Sequence, residues 1–203
     1  MNFWDRFSGL YDLAESLNKK AYNKMADEVS RLVPQDALTL DCATGTGALS
    51  VAASKNSNQV ICTDMSMSML EQAKKKCKSK GITNIKFEIR DITNLSDSDN
   101  SFDVCIAGNV LHLLDNPRKA IRELSRVTKK DGLIILPTFL SKEGNLLGKL
   151  LLKVYKFVGF KPNSEWDIQQ YKQLLKECNC GKIKFKLIKG TIPVGFAVIK
   201  VNK

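Results

Sequence analysis

Short apolar runs alternate along this chain with stretches in which apolar residues return every three or four positions. The first pattern marks strands buried in a sheet, the second amphipathic helices. Phe3, Phe7, Leu10 and Tyr11 fall on one helical face; Ala21, Met25, Val29 and Leu32 fall on another. Pro34 ends the second helix, because proline lacks an N–H and disfavours helical geometry in the residue before it. Strands are predicted over 39–42, 59–64, 85–89, 101–107 and 132–137. Helices are predicted from Ala48, over 66–80 and over 117–128, with Ser66 as N-cap, Gly81 as stop and Pro117 in a first turn. Strands that alternate with helices build a parallel sheet covered on both faces.

The pattern changes after Pro137. Leu146, Leu147, Leu150, Leu151, Val154, Tyr155 and Val158 form one helical stripe, edged by Lys149, Lys153 and Lys156. A further helix is expected over 167–178. Two strand-like runs, 182–188 and 194–201, are close enough to form an antiparallel pair around Gly190 to Pro193. The expected architecture is α/β: a Rossmann-like, doubly wound sheet of seven mostly parallel strands with an antiparallel C-terminal pair. One domain spans 1–203, with N-terminal helices (1–34), a cofactor-binding core (35–138), substrate-facing cap helices (139–180) and the strand pair (181–203).

Composition narrows the function. Apolar residues make up 43% of the 203, enough for a full core. No run reaches the length of a membrane span. The first residues carry acids and lack the basic start and apolar block of a signal peptide, so a cytoplasmic location is expected. In that reducing setting the six scattered cysteines are read as free thiols. With one histidine, His112, a zinc site of the His/Cys type lacks ligands, and no metal is expected. Net charge is +11, and residues from 140 onward hold 13 Lys against 4 acids, leaving only +2 for the rest. That excess reads either as a solvated lysine surface or as attraction to an anionic membrane or phosphorylated substrate.

The candidate chemistry centres on Leu38 to Ser50, LTLDCATGTGALS: an apolar strand, an acid at its end, a turn of small residues, then a helix. Glycine lets the backbone approach a ligand closely, and the free N–H groups of a helix start favour a polar or negative ligand group. Asp64, at the end of the second strand, lies 19 residues after Gly45, where an acid meets a ribose hydroxyl pair. That spacing fits a nicotinamide dinucleotide and S-adenosylmethionine equally. The dinucleotide pattern G-x-G-x-x-G lacks its third glycine here, where Ser50 stands. A second acidic turn, RDITNL, follows the third strand and offers an acid to an adenine amino group.

The order LDCATGTG, CTDMSMSML, IRDITNL, SFDVCIAGNVLHLL, AIRELSRVTKKDGLIIL resembles the class I S-adenosylmethionine-dependent methyltransferases, within them the small-molecule, quinone-biosynthesis-like group. The resemblance covers about 38–136, and FWDRFSGLYD is similar to that group's opening helix. It implies S-adenosyl-L-methionine as cofactor and S-adenosyl-L-homocysteine as product. It also implies that Asp41, Ala43, Thr44, Gly45 and Gly47 line the methionine end, and that Asp64 binds the ribose with Met65 flanking the adenine. Asp91 and Ile92 would hold the adenine edge, Asn109 would face the cofactor where substrate enters, and Tyr11 would close over the site. Ala43 replaces the frequent first glycine, and KKDG replaces the usual K-P-G-G.

The sulfonium methyl is already activated, so positioning an acceptor in line with it supplies much of the acceleration. An acceptor that must lose a proton also needs a base. His112 is the one side chain with a natural pKa near neutrality, and it follows Asn109 by three positions. The alternative is that it packs beside the cofactor or caps a helix. On the first reading, His112→Ala slows transfer without weakening cofactor binding. The expected partner is a small-molecule acceptor, hydrophobic or lipid-like, with peripheral contact to anionic membrane through the Lys-rich C-terminal third. No specific nucleic acid is expected, and the sequence leaves the oligomeric state open. The alternatives are an RNA or protein methyltransferase and a non-catalytic cofactor-binding module. Against the first, no appended RNA-binding module or Asn/Asp-Pro-Pro-aromatic motif is found.

Overall fold

A computed structural model describes residues 18–145, 148, 150 and 162–203. In chain order the elements are α1 (Lys19–Leu32), β1 (Ala37–Cys42), α2 (Ala48–Ala53), β2 (Ser57–Asp64), α3 (Met67–Ser79), β3 (Ile85–Ile89) and β4 (Phe102–Ile106). There follow α4 (Pro117–Val127), β5 (Thr128–Phe139), α5 (Ile168–Cys178), β6 (Gly181–Ile188) and β7 (Val194–Val201), with single 3-10 turns at Leu111–Leu113 and Ser141–Glu143. The expected helix around Phe3 to Tyr11 and the stripe from Leu146 to Val158 lie outside the described residues, Leu150 apart.

Seven strands form one sheet in the order β3-β2-β1-β4-β5-β7-β6. The chain starts in the middle, steps outward to β3, then crosses to β4 and continues outward, which is the doubly wound plan. β7 runs antiparallel to both neighbours, β5 and β6, so among the described strands it alone is reversed. Such sheets bind ligands outside the strand C-termini where the order reverses, here between β1 and β4.

Alternation of side chains sorts the core into two layers. Leu40, Ile61, Cys105, Ile134 and Leu136 face α4 and α5 through Ile121, Leu124, Tyr171 and Leu175. Val60, Val104, Ile106, Ile135 and Phe196 face α1 and α2 through Met25, Val29, Leu49 and Ala53. Cys62, two residues from Val60 and so on the same face, packs under Leu70 and Ala73 of α3. Tyr171 is fully buried, and its hydroxyl donates to the Leu136 carbonyl at 2.7 Å.

The caps follow from the sequence. Ser66 Oγ accepts from Met69 N, Asn116 Oδ1 accepts from Lys119 N ahead of Pro117, and Asp167 and Gln170 form a reciprocal capping box. The largest difference from the expected strand boundaries is in β5, which begins at Thr128 rather than 132. Thr128 pairs with Phe102 before the register shifts, and its Oγ1 donates back to the Leu124 carbonyl at 2.6 Å. A polar TKKD segment thus joins the sheet as an irregular extension that hydrophobic patterning does not mark.

Candidate functional site

β1 delivers Asp41 to the tip of the sheet, where the carboxyl is 1% exposed. The chain then turns through two left-handed residues, Ala43 (φ 50) and Gly45 (φ 57), before Gly47 (φ 80) opens α2. Asp41 Oδ2 accepts from Thr44 Oγ1 at 2.8 Å and Ser50 Oγ at 2.6 Å, which tie the acid to the turn and to the helix. Its Oδ1 is buried with no hydrogen-bond partner among the described residues. Burial raises the Asp41 pKa to about 6, opposed by the Ser50 and Thr44 hydroxyls and aided by the nearby Asp64 charge.

Asn109 lies opposite, past β4, in a left-handed conformation (φ 53). Its Nδ2 donates to Tyr22 Oη at 3.5 Å, and its buried Oδ1 has no partner among the described residues. Asp41 and Asn109 share one narrow cleft with Tyr22, Met25, Ala43, Thr44, Ala48, Leu49 and Gly108. Two unsatisfied buried acceptors in one cleft call for a donor, and a buried acceptor left unmatched costs about 1–3 kcal/mol. An ammonium group, three donors and a positive charge, matches that need, and it is what the methionine end of S-adenosylmethionine presents.

The cleft opens into a cavity of about 220 Å3 walled by Ala43, Gly45, Asp64, Met65, Met69, Arg90, Ile92, Gly108, Asn109, Val110, Leu113 and Leu114. Asp64 ends β2 at its rim. Its Oδ2 accepts from Gly45 N and its Oδ1 from Ser66 N, both at 2.9 Å, so the carboxylate is locked between the turn and the start of α3. A carboxylate oxygen has further lone pairs, so both remain able to accept from hydroxyls. The rest of the wall is largely apolar, which suits a flat aromatic ring.

The predicted residues therefore separate. Ala43, Gly45, Asp64, Met65, Ile92 and Asn109 meet at one cavity, and Asp41 and Thr44 reach the adjoining cleft. Gly47 lines neither; a Cβ there would stand 2.9 Å from Ala73 Cβ, so this glycine lets α2 approach α3. Asp91 turns back on its own loop, accepting from Thr93 N and Oγ1, both at 2.8 Å, and Arg90 rather than Asp91 lines the cavity. His112 is buried, edge-on to the Phe139 ring at 6.1 Å, and lines neither space. Desolvation lowers its pKa to about 4. Tyr11 lies outside the described residues.

Tyr22, Met69, Arg90, Leu113 and Leu114 were not anticipated. Arg90 pairs with Glu88 at 2.6 Å and with Asp97. Tyr22 sits at helical spacing with Met25 and Val29, a sign of burial, but nothing in the spacing shows that it points at the strand tips.

The sequence signature of the methyltransferase-domain family matches residues 35–186. Over 102 residues the chain is 40% identical to the ubiquinone/menaquinone biosynthesis C-methyltransferase UbiE of Bdellovibrio bacteriovorus, covering 49% of this chain and 43% of that protein. The chain thus spans less than half of that relative. Over its full length it is 28% identical to the uncharacterized protein MJ1123 of Methanocaldococcus jannaschii, of which it covers 90%. The crystal structure of a SAM-dependent methyltransferase from Aquifex aeolicus superposes with a TM-score of 0.67 at 20% identity, over 92% of each chain.

Proposed function

Because this chain belongs to the class I S-adenosylmethionine-dependent methyltransferases, we propose that it transfers a methyl group from that cofactor to a small, largely apolar acceptor. The observation that carries this reading is the pair of buried acceptors, Asp41 Oδ1 and Asn109 Oδ1, at the cleft beside the glycine turn. In this reading they receive the cofactor's ammonium, Asp64 receives the ribose hydroxyls, and Met65, Met69 and Ile92 enclose the adenine. When bound, the cofactor supplies an activated methyl on a cationic sulfur. The chain's task is then to orient and to exclude water. Tyr22 and Phe139, in edge contact at 6.1 Å, would wall the acceptor side. The relative's printed role in quinone biosynthesis favours an apolar ring as acceptor, methylated at carbon.

His112 enters this scheme as a neutral packing group. A base with a pKa of about 4 has little driving force to take a phenolic proton at neutral pH. Calorimetry with S-adenosylhomocysteine and with NAD tests the cofactor, and binding of NAD alone would overturn the proposal. Incubation of the enzyme with methyl-labelled cofactor and a cell extract identifies the molecule that gains the label.

Asp41 makes a pH prediction. Its folded-state pKa, about 6, lies above the unfolded value near 3.8, so between these pH values the native state binds the extra proton. Stability from this group is full below about pH 4 and lost as pH rises through 6, about 3 kcal/mol in all. Cofactor binding acts in the opposite sense, since an ammonium partner requires the carboxylate. Affinity for S-adenosylhomocysteine should fall about tenfold per pH unit below 6, and Asp41→Asn should flatten that dependence. A flat wild-type profile would remove Asp41 from the ammonium site. In the activity profile, a limb near pH 6.5 removed by His112→Gln would restore the histidine as a base.

For partners, we propose that the exposed Lys182, Lys184 and Lys186 of β6 meet anionic lipid when the acceptor is membrane-borne. Among the described residues no helix is long and apolar enough to cross a membrane. Flotation with anionic vesicles at low salt should carry the protein upward, and Lys182→Glu/Lys184→Glu should leave it behind. Absence of the wild type from the floated fraction overturns the contact.

A further inference from the structure

The two edges of the sheet are built differently. β6 carries Lys182, Lys184 and Lys186 on alternate positions. Pairing it antiparallel with a second β6 centred on Phe185 sets Lys184 against Lys186, and centring it on Lys184 sets that lysine against itself. Like charges directly opposite are destabilising, so this edge resists self-pairing. β3, at the other edge, has no such defence. Among the described residues it pairs only with β2.

The backbone decides how β3 would pair. The Asn84 carbonyl accepts from Val60 N, and Arg90 N donates to the Asp64 carbonyl, so these even positions face β2. Strand alternation then turns the N–H and C=O of Ile85, Phe87 and Ile89 outward. A two-fold axis at Phe87 brings those groups of two antiparallel copies opposite one another. Phe87 faces Phe87, Ile85 faces Ile89, and each exchanges both bonds. Lys86 then falls opposite Glu88, in the closer, non-hydrogen-bonded pairs where side chains interact most strongly.

The side chains agree with this register. Ile85, Phe87 and Ile89 share the α3 face, and Ile89 is 56% exposed. Three residues past Asp64, the β2 partner of Ile89, Met67 is 50% exposed, so further apolar surface lies in water close in the chain to this edge. On the other face Glu88 is already held by Arg90, which Asp97 holds in turn. An incoming Lys86 extends a row of alternating charge. We propose that the β3 edge is a self-complementary interface through which two copies of this chain join into one continuous fourteen-stranded sheet. The inference is independent of methyl transfer.

The test is the molar mass of the purified chain across the micromolar range, by sedimentation or light scattering. The wild type should have twice the chain mass. Lys86→Glu places glutamates opposite glutamates and should raise the dimer dissociation constant about tenfold or more; Glu88→Lys should act likewise. The double swap, Lys86→Glu with Glu88→Lys, restores opposite charges and should return the constant to within about threefold of wild type. Ile89→Pro removes an outward N–H with no hydrogen-bond partner among the described residues, so it should give a folded monomer. A monomeric wild type, or a double swap no better than the singles, overturns the proposal.

Discussion

Replacing Asp64 by alanine is expected to weaken S-adenosylhomocysteine binding about a hundredfold. The carboxylate is fixed at both oxygens by Gly45 N and Ser66 N. In the proposed complex each oxygen also accepts from a ribose hydroxyl. Hydrogen bonds to a charged acceptor are worth about 1.5–3 kcal/mol each, and losing two gives at least two orders of magnitude. Asp64→Asn keeps one acceptor and should fall between alanine and wild type. Calorimetry reads both, and circular dichroism confirms that the sheet persists. An alanine variant that binds within threefold of wild type would separate Asp64 from the ribose.

The largest effect on stability is expected at Gly181. It opens β6 with φ 150, and a Cβ there would stand 2.0 Å from the Lys200 carbonyl oxygen and 2.9 Å from its carbon. Those atoms belong to the interior strand β7 and cannot swing away as a flexible side chain can. Gly181→Ala must break the β6–β7 register at its first pair, Gly181 with Val201, or shift the backbone. We expect a loss of about 3 kcal/mol or more, near 10 °C in Tm for a chain of this size. Gly81→Ala is the control: its φ of 65 is also left-handed, but nothing lies within 4 Å of the added Cβ. It should cost only about 1–2 kcal/mol of backbone strain. Equal melting points for the two variants would show that the close approach at Lys200 is not rigid.

Much of the fold was legible because its signals are local. Ser66 announces a helix start by accepting from Met69 N, Pro117 marks a first turn, and alternating apolar residues fix which face of each strand is buried. The glycine turn and the acids ending β1 and β2 were legible for the same reason. What the sequence hid is what only the tertiary arrangement creates. Thr128 reads as a helix end and Lys129 to Asp131 as a polar loop, yet all join β5, where Thr128 pairs with Phe102 of β4. Tyr22 approaches Asn109 across 87 residues of chain, and no local pattern encodes that meeting. Asp91 and Arg90 are neighbours, and which of them faces the cavity depends on the Asx turn at Thr93 and on the carboxylates Glu88 and Asp97. The burial that depresses His112 is likewise a property of the assembled core.

β7 is the final strand in the chain order, yet it sits between β5 and β6. During vectorial synthesis β5 must wait with one flank bare, and β6 leaves the ribosome before the strand that will receive it exists. The nascent chain therefore cannot zip up progressively. It stays open along an apolar seam, where Ile134, Leu136, Ala197 and Ile199 will meet, until Val194 to Val201 clears the exit tunnel and is inserted. For this topology the most vulnerable interval is the one before β7 emerges, when bare apolar surface and an unpaired strand edge favour aggregation.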